Sequence, residues 1–144
     1  MDILKAQHSD YEVYLTEIHA QRGVACADCH MPCVKEGGQK FTSHQITNPL
    51  QNITNTCQVC HRESEETLRN NVYNRQRKVK EIRDKSEVAL LRAHVKAEAA
   101  WDAGATDAEM KPALEHIRNA QCYWDSAAAG FGSAFFSPIE EEER

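Results

Sequence analysis

The chain reads Cys26-Ala27-Asp28-Cys29-His30 at one point and Cys57-Gln58-Val59-Cys60-His61 at another. Both stretches are a pair of cysteines two residues apart, followed at once by histidine, which is the attachment signature of c-type haem. The two thiols add across the vinyl groups of a porphyrin, and the adjacent imidazole binds the iron as its proximal ligand. The two stretches therefore predict two covalently attached haem c groups.

Paired cysteines have other uses, which the sequence leaves open. Two Cys-x-x-Cys pairs could build a four-thiolate zinc site, although zinc gives no reason for a histidine after each pair. A thioredoxin-like dithiol needs a βαβ pattern, and none is visible. A disulfide framework would fit an exported chain, but cysteines this close rarely pair structurally. Cys33 and Cys122 stand apart from both pairs and are interpreted as bystander thiols.

Length and charge narrow the possible classes of protein. With 144 residues and a formal net charge of −5, the chain has room for one ordinary domain or two small lobes. No apolar run approaches the roughly 20 residues that span a bilayer. Residues 1–14 lack the apolar stretch of a secretory signal, so no signal peptide is predicted in this chain. A nucleic-acid partner is not expected, because phosphate binding needs clustered Lys and Arg.

The pattern of residues divides the chain into a haem-binding lobe (1–62), a long αα-hairpin (63–136) and a charged tail (137–144). The lobe is loop-rich and poor in apolar residues, so it cannot offset its ordering entropy by burying its own side chains. Porphyrins would supply the missing apolar surface. The predicted fold class is all-α: a loop-rich multihaem c-type cytochrome lobe followed by a long antiparallel helical hairpin.

The hairpin is predicted from periodicity and capping residues. Apolar residues recur at spacings of three, four and seven along one face of the first helix: Leu68, Val72, Val79, Ile82, Ala89, Ala93, Ala97 and Ala100. Gly104 is placed to end this helix, and Thr106 with Glu109 forms a capping box for the second. Pro112 marks either the true first turn of the second helix or a kink. The first helix is too long for a monomer of this size to cover on all sides, so we expect it to pack against a partner chain or a missing part of a larger protein.

Five further histidines could supply sixth ligands to haem iron. His19 precedes the first motif and His44 lies between the motifs, so both are candidate distal ligands. His94 and His116 fall on the predicted helices, where a surface imidazole is the simpler interpretation.

The loops and spacings around the motifs resemble those of cytochrome c nitrite reductase, the pentahaem enzyme that reduces nitrite to ammonium. The similarity runs from about Leu4 to Asp125 and is marked by five stretches: Leu4-Lys5-Ala6-Gln7-His8, the run from His19 to Pro32, Asn48-Pro49-Leu50-Gln51-Asn52-Ile53, Thr56-Cys57-Gln58-Val59-Cys60-His61-Arg62 and Ala103-Gly104-Ala105-Thr106. The chain is similar to the C-terminal portion of that family. Only the last two of the family's attachment motifs are present.

The resemblance implies a role for each candidate residue. The motif ending in His30 would hold the family's fourth haem, and the motif ending in His61 its fifth, with His19 as distal ligand of the fifth. His44 would be the distal ligand of the second haem, whose motif is absent here. His8 would be the catalytic histidine that hydrogen-bonds nitrite.

The resemblance also implies a second metal and several partners. Lys5 and Gln7 would be ligands of a calcium ion, giving a partial site. The long helices would form a homodimer interface, and a multihaem quinol-oxidising protein would donate electrons. The family is periplasmic.

The sequence departs from the family in ways that bear on activity. The family's catalytic haem is attached to a Cys-x-x-Cys-Lys motif, which this sequence lacks. The distal ligand of the haem bound to His30 would also come from outside the chain. We therefore expect two electron-relay sites without catalytic iron, and no nitrite reduction by the isolated chain. The alternatives are a small dihaem electron-transfer cytochrome and, without export, a haem-free helical interaction module.

Overall fold

The computed structural model describes residues 10–130. Three short helices come first, and two long ones end this range: α1 (Asp10–Thr16), α2 (Ile18–Gln21), α3 (Cys26–His30), α4 (Glu65–Asp102) and α5 (Asp107–Ala129). Between α3 and α4 lie the antiparallel strands β1 (Cys33–Glu36) and β2 (Gln39–Thr42) and two 3-10 turns, Pro49–Gln51 and Cys57–Val59. The all-α fold class is confirmed, with one small β-hairpin added to it.

Helix α4 begins and ends at the residues that its capping chemistry selects. The Ser64 hydroxyl accepts a hydrogen bond from the Thr67 N–H at 3.2 Å, and acidic side chains in the first turn suit the positive end of the helix dipole. At the other end, Gly104 has φ +92°, a left-handed conformation that favours glycine. With 38 residues at about 1.5 Å each, α4 is about 57 Å long.

Helix α5 begins with the predicted capping box. The Thr106 N–H donates to the Glu109 carboxylate at 2.9 Å, and the Glu109 N–H donates to the Thr106 hydroxyl at 3.4 Å. Pro112 does not mark the start of the helix, because α5 already begins at Asp107. Since proline has no N–H, the first turns of α5 give up one backbone hydrogen bond without ending the helix.

The two long helices pack against each other through a narrow apolar seam. The buried apolar side chains of these two helices are Leu68, Val79, Leu90 and Ala97 of α4 and Met110 of α5. Because α5 has 23 residues against 38 in α4, it runs back along only the C-terminal part of α4, and Leu68 lies beyond the seam. Leu90 was not part of the predicted stripe, whereas Ala89 was, and Ala89 is exposed. Positions 68, 79 and 90 are eleven residues apart, a repeat close to the natural period of a straight helix. Burying leucine rather than alanine also removes more apolar area from water.

The lobe before α4 buries very little of its own. Ile53 is 1% exposed and Thr56 is also buried, but Ile46 and Val59 are each 73% exposed. Further large apolar side chains of the lobe are exposed: Tyr11, Leu15, Ile18 and Phe41. The protein's own side chains therefore leave an apolar surface around the two cysteine pairs.

The β-hairpin lies in the lobe that the sequence predicts to be loop-rich. Its turn is formed by Gly37 and Gly38, at φ +56° and +86°, the positive values that a two-residue hairpin turn requires. The pairing of Val34 with Phe41 places an apolar pair across the strands. A Gly-Gly pair flanked by apolar residues is a hairpin signal, so this element could have been found.

Three hydrogen bonds tie the lobe to the start of α4. Thr54 donates to the Glu65 carboxylate at 2.5 Å, Gln58 donates to the Glu63 carbonyl at 3.0 Å, and Arg69 donates to the Leu50 carbonyl at 3.4 Å. Within residues 10–130, no helix combines the length and the apolar character that crossing a membrane requires.

Candidate functional site

The first cysteine pair lies on a helix and the second on a tighter turn. Cys26 and Cys29 both belong to α3, where residues three apart lie on one face. The carboxylate of Asp28, inside this motif, accepts the Ala25 N–H at 2.7 Å and so caps the helix. Cys57 opens a 3-10 turn, in which side chains three residues apart are also aligned. In both motifs the spacing of three residues favours thiols that lie on the same side of the chain.

The two motifs are neighbours in the fold. Partial burial raises the pKa of the Cys29 thiol, and negative charge at Cys57 raises it further. Desolvation raises the pKa of the Tyr14 hydroxyl of α1, and the nearby Cys26 thiol, when ionised, raises it further. All six cysteines lie within the described residues and are free thiols, so the structure gives no support to a disulfide framework.

The described side chains also do not form a zinc site. Across residues 10–130, no three His, Cys, Asp or Glu side chains converge as the ligands of one metal ion. A structural zinc site needs four such ligands in a tetrahedron. The zinc alternative therefore gains no support from this part of the chain.

His30 is held by the loop that follows the β-hairpin. Its Nδ1 lies 3.1 Å from the Thr47 carbonyl oxygen, which can only accept, so Nδ1 carries the proton. The Thr47 N–H in turn donates to the His30 carbonyl at 3.4 Å. This fixes the ring and leaves Nε2 as its metal-binding nitrogen, the arrangement common for metal-bound histidines.

His19 and His61 each have a carboxylate on the same ring nitrogen. Both oxygens of Glu17 approach Nδ1 of His19, at 2.7 and 3.0 Å. One oxygen of Glu63 lies 3.7 Å from Nδ1 of His61. With Nδ1 engaged, Nε2 is the nitrogen through which either ring would bind a metal.

The structure brings His19 and His61 together. Their ring centroids are 6.1 Å apart, and the ring planes are inclined by 63°. A metal–imidazole bond is about 2.0 Å long, and the ring centre lies about 1.1 Å behind the bonding nitrogen for ring bonds of about 1.35 Å. Two imidazoles on opposite sides of one metal ion would therefore have centroids about 6.2 Å apart. The observed separation matches this value.

His44 occupies a different place. It is exposed and lines an open groove of about 800 Å³ whose walls come from the β-hairpin and the loop after it, including Val34, Phe41 and Asn52. Lys5, Gln7 and His8, predicted as calcium ligands and catalytic histidine, lie outside the described residues, as does the predicted tail, 137–144.

Sequence reasoning missed the groups that orient the three histidines. Glu17 and Glu63 each lie two residues from the histidine they approach, so an acidic residue at that spacing was a visible signal. Thr47 acts through its carbonyl, and because every residue has one, no sequence pattern marks it.

The chain is similar to known proteins along nearly its whole length. A family model for cytochrome c552 matches residues 1–143. Proteins named cytochrome c-552 are 62% identical in Bacteroides fragilis, 59% in Parabacteroides distasonis and 46% in Desulfotalea psychrophila, each over 138 residues and 96% of this chain. The chain covers 28%, 28% and 27% of their respective lengths.

A solved structure shares the fold. It is cytochrome c nitrite reductase from Desulfovibrio desulfuricans, whose catalytic subunit has two calcium sites. The TM-score is 0.86 at 32% sequence identity, and the match covers 98% of this chain and 31% of the other. The chain thus spans between a quarter and a third of the proteins that it matches.

Proposed function

The chain belongs to the cytochrome c552 family, and from that premise we propose that it holds two haem c groups that relay electrons in a cytochrome c nitrite reductase. Membership of a c-type cytochrome family implies haem c as the cofactor. The number of two is proposed from the two Cys-x-x-Cys-His motifs. When bound, each haem supplies a one-electron redox couple.

The observation that carries this proposal is the 6.1 Å separation of the His19 and His61 rings. Two axial histidines saturate an iron, so such a site passes electrons and leaves no coordination position for substrate. We propose that His61 is the proximal and His19 the distal ligand of one haem, with Cys57 and Cys60 as its attachment points.

The second proposed haem site uses Cys26, Cys29 and His30. The hydrogen bond from His30 to the Thr47 carbonyl, at 3.1 Å, supports ligation through Nε2. Cys29 lies close enough to Cys57 that ionisation of the Cys57 thiol would raise the pKa of the Cys29 thiol, and this proximity supports a short path between haems attached at the two motifs. His44 is proposed as the distal ligand of a third haem whose attachment motif this chain does not contain.

The exposed apolar side chains of the lobe favour the same proposal. Ile18, Phe41 and Val59 expose 53%, 45% and 73% of their surface, which is unfavourable at roughly 25 cal/mol per Å² of apolar area. Porphyrin faces packed against such side chains would remove that area from water.

The proposal extends to the activity of the longer relatives. We propose six-electron reduction of nitrite to ammonium in the periplasm, with His8 as a hydrogen-bonding catalytic residue and electrons from a quinol-oxidising multihaem donor. Lys5 and Gln7 are proposed as calcium ligands, with support from the two calcium sites of the similar Desulfovibrio enzyme. We expect no ammonium from the purified chain alone, because its sequence has no Cys-x-x-Cys-Lys motif. Ammonium formation by that chain would contradict this expectation.

We further propose that two copies associate through the long helices. Several large apolar side chains of α4 are exposed: Tyr73, Val88, Leu91, Val95 and Trp101. A second copy of α4 and α5 is the occupant that would remove this surface from water.

The deciding experiment is the haem content of the chain after export and maturation in a periplasm. A pyridine haemochrome spectrum and an intact mass carrying two haems per chain are expected, with a low-spin spectrum for the haem on His61. Two haems on a chain that neither associates with nor donates electrons to a nitrite reductase would favour the small dihaem cytochrome. A mass without haem would overturn the proposal in favour of the helical interaction module.

A further inference from the structure

The carboxylate of Glu17 is unusually placed for a glutamate. It lies where α1 gives way to α2, at the N-cap position of α2, but its side chain makes no capping hydrogen bond. Only 10% of the side chain is exposed. Both carboxylate oxygens instead face Nδ1 of His19, at 2.7 and 3.0 Å.

This placement has an energetic consequence. Burying a carboxylate is unfavourable unless it is paired and hydrogen-bonded, and capping a helix would be a local way to satisfy it. The Glu17 side chain makes no such capping hydrogen bond. Its contact with the His19 imidazole therefore offsets the cost of removing the carboxylate from water. The contact therefore fixes both the proton on Nδ1 and the orientation of the His19 ring.

We propose that Glu17 is a positioning residue that sets the reduction potential of the haem bound between His19 and His61. The proposal rests on the proposed function, because it needs His19 as an iron ligand. A carboxylate that accepts the Nδ1 proton makes the imidazole a more basic ligand. A more basic ligand stabilises ferric over ferrous iron, so electron uptake at this haem occurs at a lower potential.

The opposite ligand lacks an equal partner. The Glu63 carboxylate stands 3.7 Å from Nδ1 of His61, and its side chain is 53% exposed, so water and salt screen it. His30 has only a neutral carbonyl, that of Thr47, on its Nδ1. Of the three histidines, His19 thus has the strongest orienting group. The reduction potential would therefore be set from the distal side of one haem.

The test compares three variants of the full chain after maturation in a periplasm. Glu17→Gln removes the charge and keeps the shape, and Glu17→Asp keeps the charge one methylene further away. Glu12→Gln removes an equal charge from an exposed position of α1 and is the matched control. Each protein is measured by redox titration and by electron paramagnetic resonance of its ferric low-spin haems.

Glu17→Gln is expected to raise the midpoint potential of one haem only. At a fixed solution potential, that haem would have a lower oxidised-to-reduced ratio than in the wild type, and each tenfold change in this ratio corresponds to about 59 mV. The low-spin resonance of that haem is expected to shift because the ring is less firmly oriented. Glu17→Asp is expected to recover part of the wild-type potential, and Glu12→Gln all of it. If Glu17→Gln does not accumulate, Glu17→Ala makes the same comparison with a larger expected shift.

Two results would overturn the proposal, and they are distinguishable. Wild-type potentials in a fully haem-loaded Glu17→Gln protein would show that Glu17 does not tune the haem, with the proposed function intact. A wild-type chain without a bis-histidine low-spin haem would instead remove the proposed function, and this proposal with it.

Discussion

The ring centroid of His19, in α2, lies 6.1 Å from the ring centroid of His61, the residue directly after the second cysteine pair. If both bind one iron, removing the distal ring must open a coordination position. We expect His19→Ala to convert one haem from low-spin to high-spin and to allow it to bind carbon monoxide or cyanide. Optical and electron paramagnetic resonance spectra of the matured chain would show this.

His44 provides the control for that substitution. It is exposed on the wall of a separate groove, so His44→Ala is expected to leave both haem spectra unchanged. A low-spin spectrum that survives His19→Ala and is lost in His44→Ala would reverse the ligand assignment.

A second prediction concerns covalent attachment. Replacing both Cys57 and Cys60 by Ser should lower the intact mass by one haem, because both thioether bonds of that site are lost. Cys122→Ser removes a thiol from α5, far along the chain from either motif, and should leave the mass at two haems. A one-haem mass in the Cys122 variant would refute its assignment as a bystander thiol.

A third prediction concerns the seam between the long helices. Met110 is 5% exposed, so Met110→Ala should leave a cavity and lower the free energy of unfolding by about 2–5 kcal/mol. Lys111→Ala, at the next and exposed position of α5, should change it by less than about 0.5 kcal/mol. Urea unfolding at one fixed protein concentration measures both, since association would otherwise add to the stability.

A fourth prediction follows from the capping box of α5. Hydrogen bonds from the Thr106 backbone and then its side chain lower the pKa of the Glu109 carboxyl. The folded pKa is below the unfolded one, so the contribution to stability is present above the unfolded pKa and is lost as pH falls through the folded pKa. The stability difference between wild type and Glu109→Gln should therefore shrink as pH is lowered below the ordinary carboxyl range. Urea unfolding of both proteins across that range measures the difference.

The matched control is Glu115→Gln, which removes the same charge from an exposed position of α5 without touching the cap. It should be less destabilising than Glu109→Gln at neutral pH. Equal losses in the two variants would mean that charge, rather than the cap, is responsible.

A fifth prediction addresses self-association. Leu91 and Val95 of α4 are 63% and 56% exposed, and a charge there cannot be buried without a partner. Leu91→Glu and Val95→Glu should each shift the sedimentation of the chain towards the monomer. Glu87→Gln, an exposed polar change on the same helix, should not. Monomeric wild-type protein at micromolar concentration would contradict the proposed dimer.

The sequence predicted the long hairpin well because its signals are local. Gly104 ends α4 and the Thr106–Glu109 box begins α5, and such signals act within one helical turn. The choice of Leu90 over Ala89 was not predictable from α4 alone, because the path of the partner helix decides which side of a broad stripe is buried. The β-hairpin at Gly37 and Gly38 also has a local signal, the Gly-Gly pair itself.

For the candidate site, the sequence identified the residue types that bind haem but not which of them lie close together. The cysteine pairs and their histidines follow from spacing, and His19 and His44 were named as ligands on sequence proximity and resemblance. Only the fold shows that His19 lies against His61 and that His44 lies in a separate groove. The buried position of Glu17 depends on how α1 and α2 meet, which no periodicity encodes.

The lobe is made of short elements that bury few side chains, whereas α4 and α5 are long hydrogen-bonded helices that share an apolar seam, so the two parts are expected to open with different free energies. Amide hydrogens of α4 near Val79 and Leu90 should exchange slowly with solvent, whereas those around the cysteine pairs should exchange and be cleaved readily until porphyrin is attached. Cofactor attachment would then act as the quality check on this segment. In chains without porphyrin, a protease would cut within the lobe first and leave the helical pair as the surviving fragment.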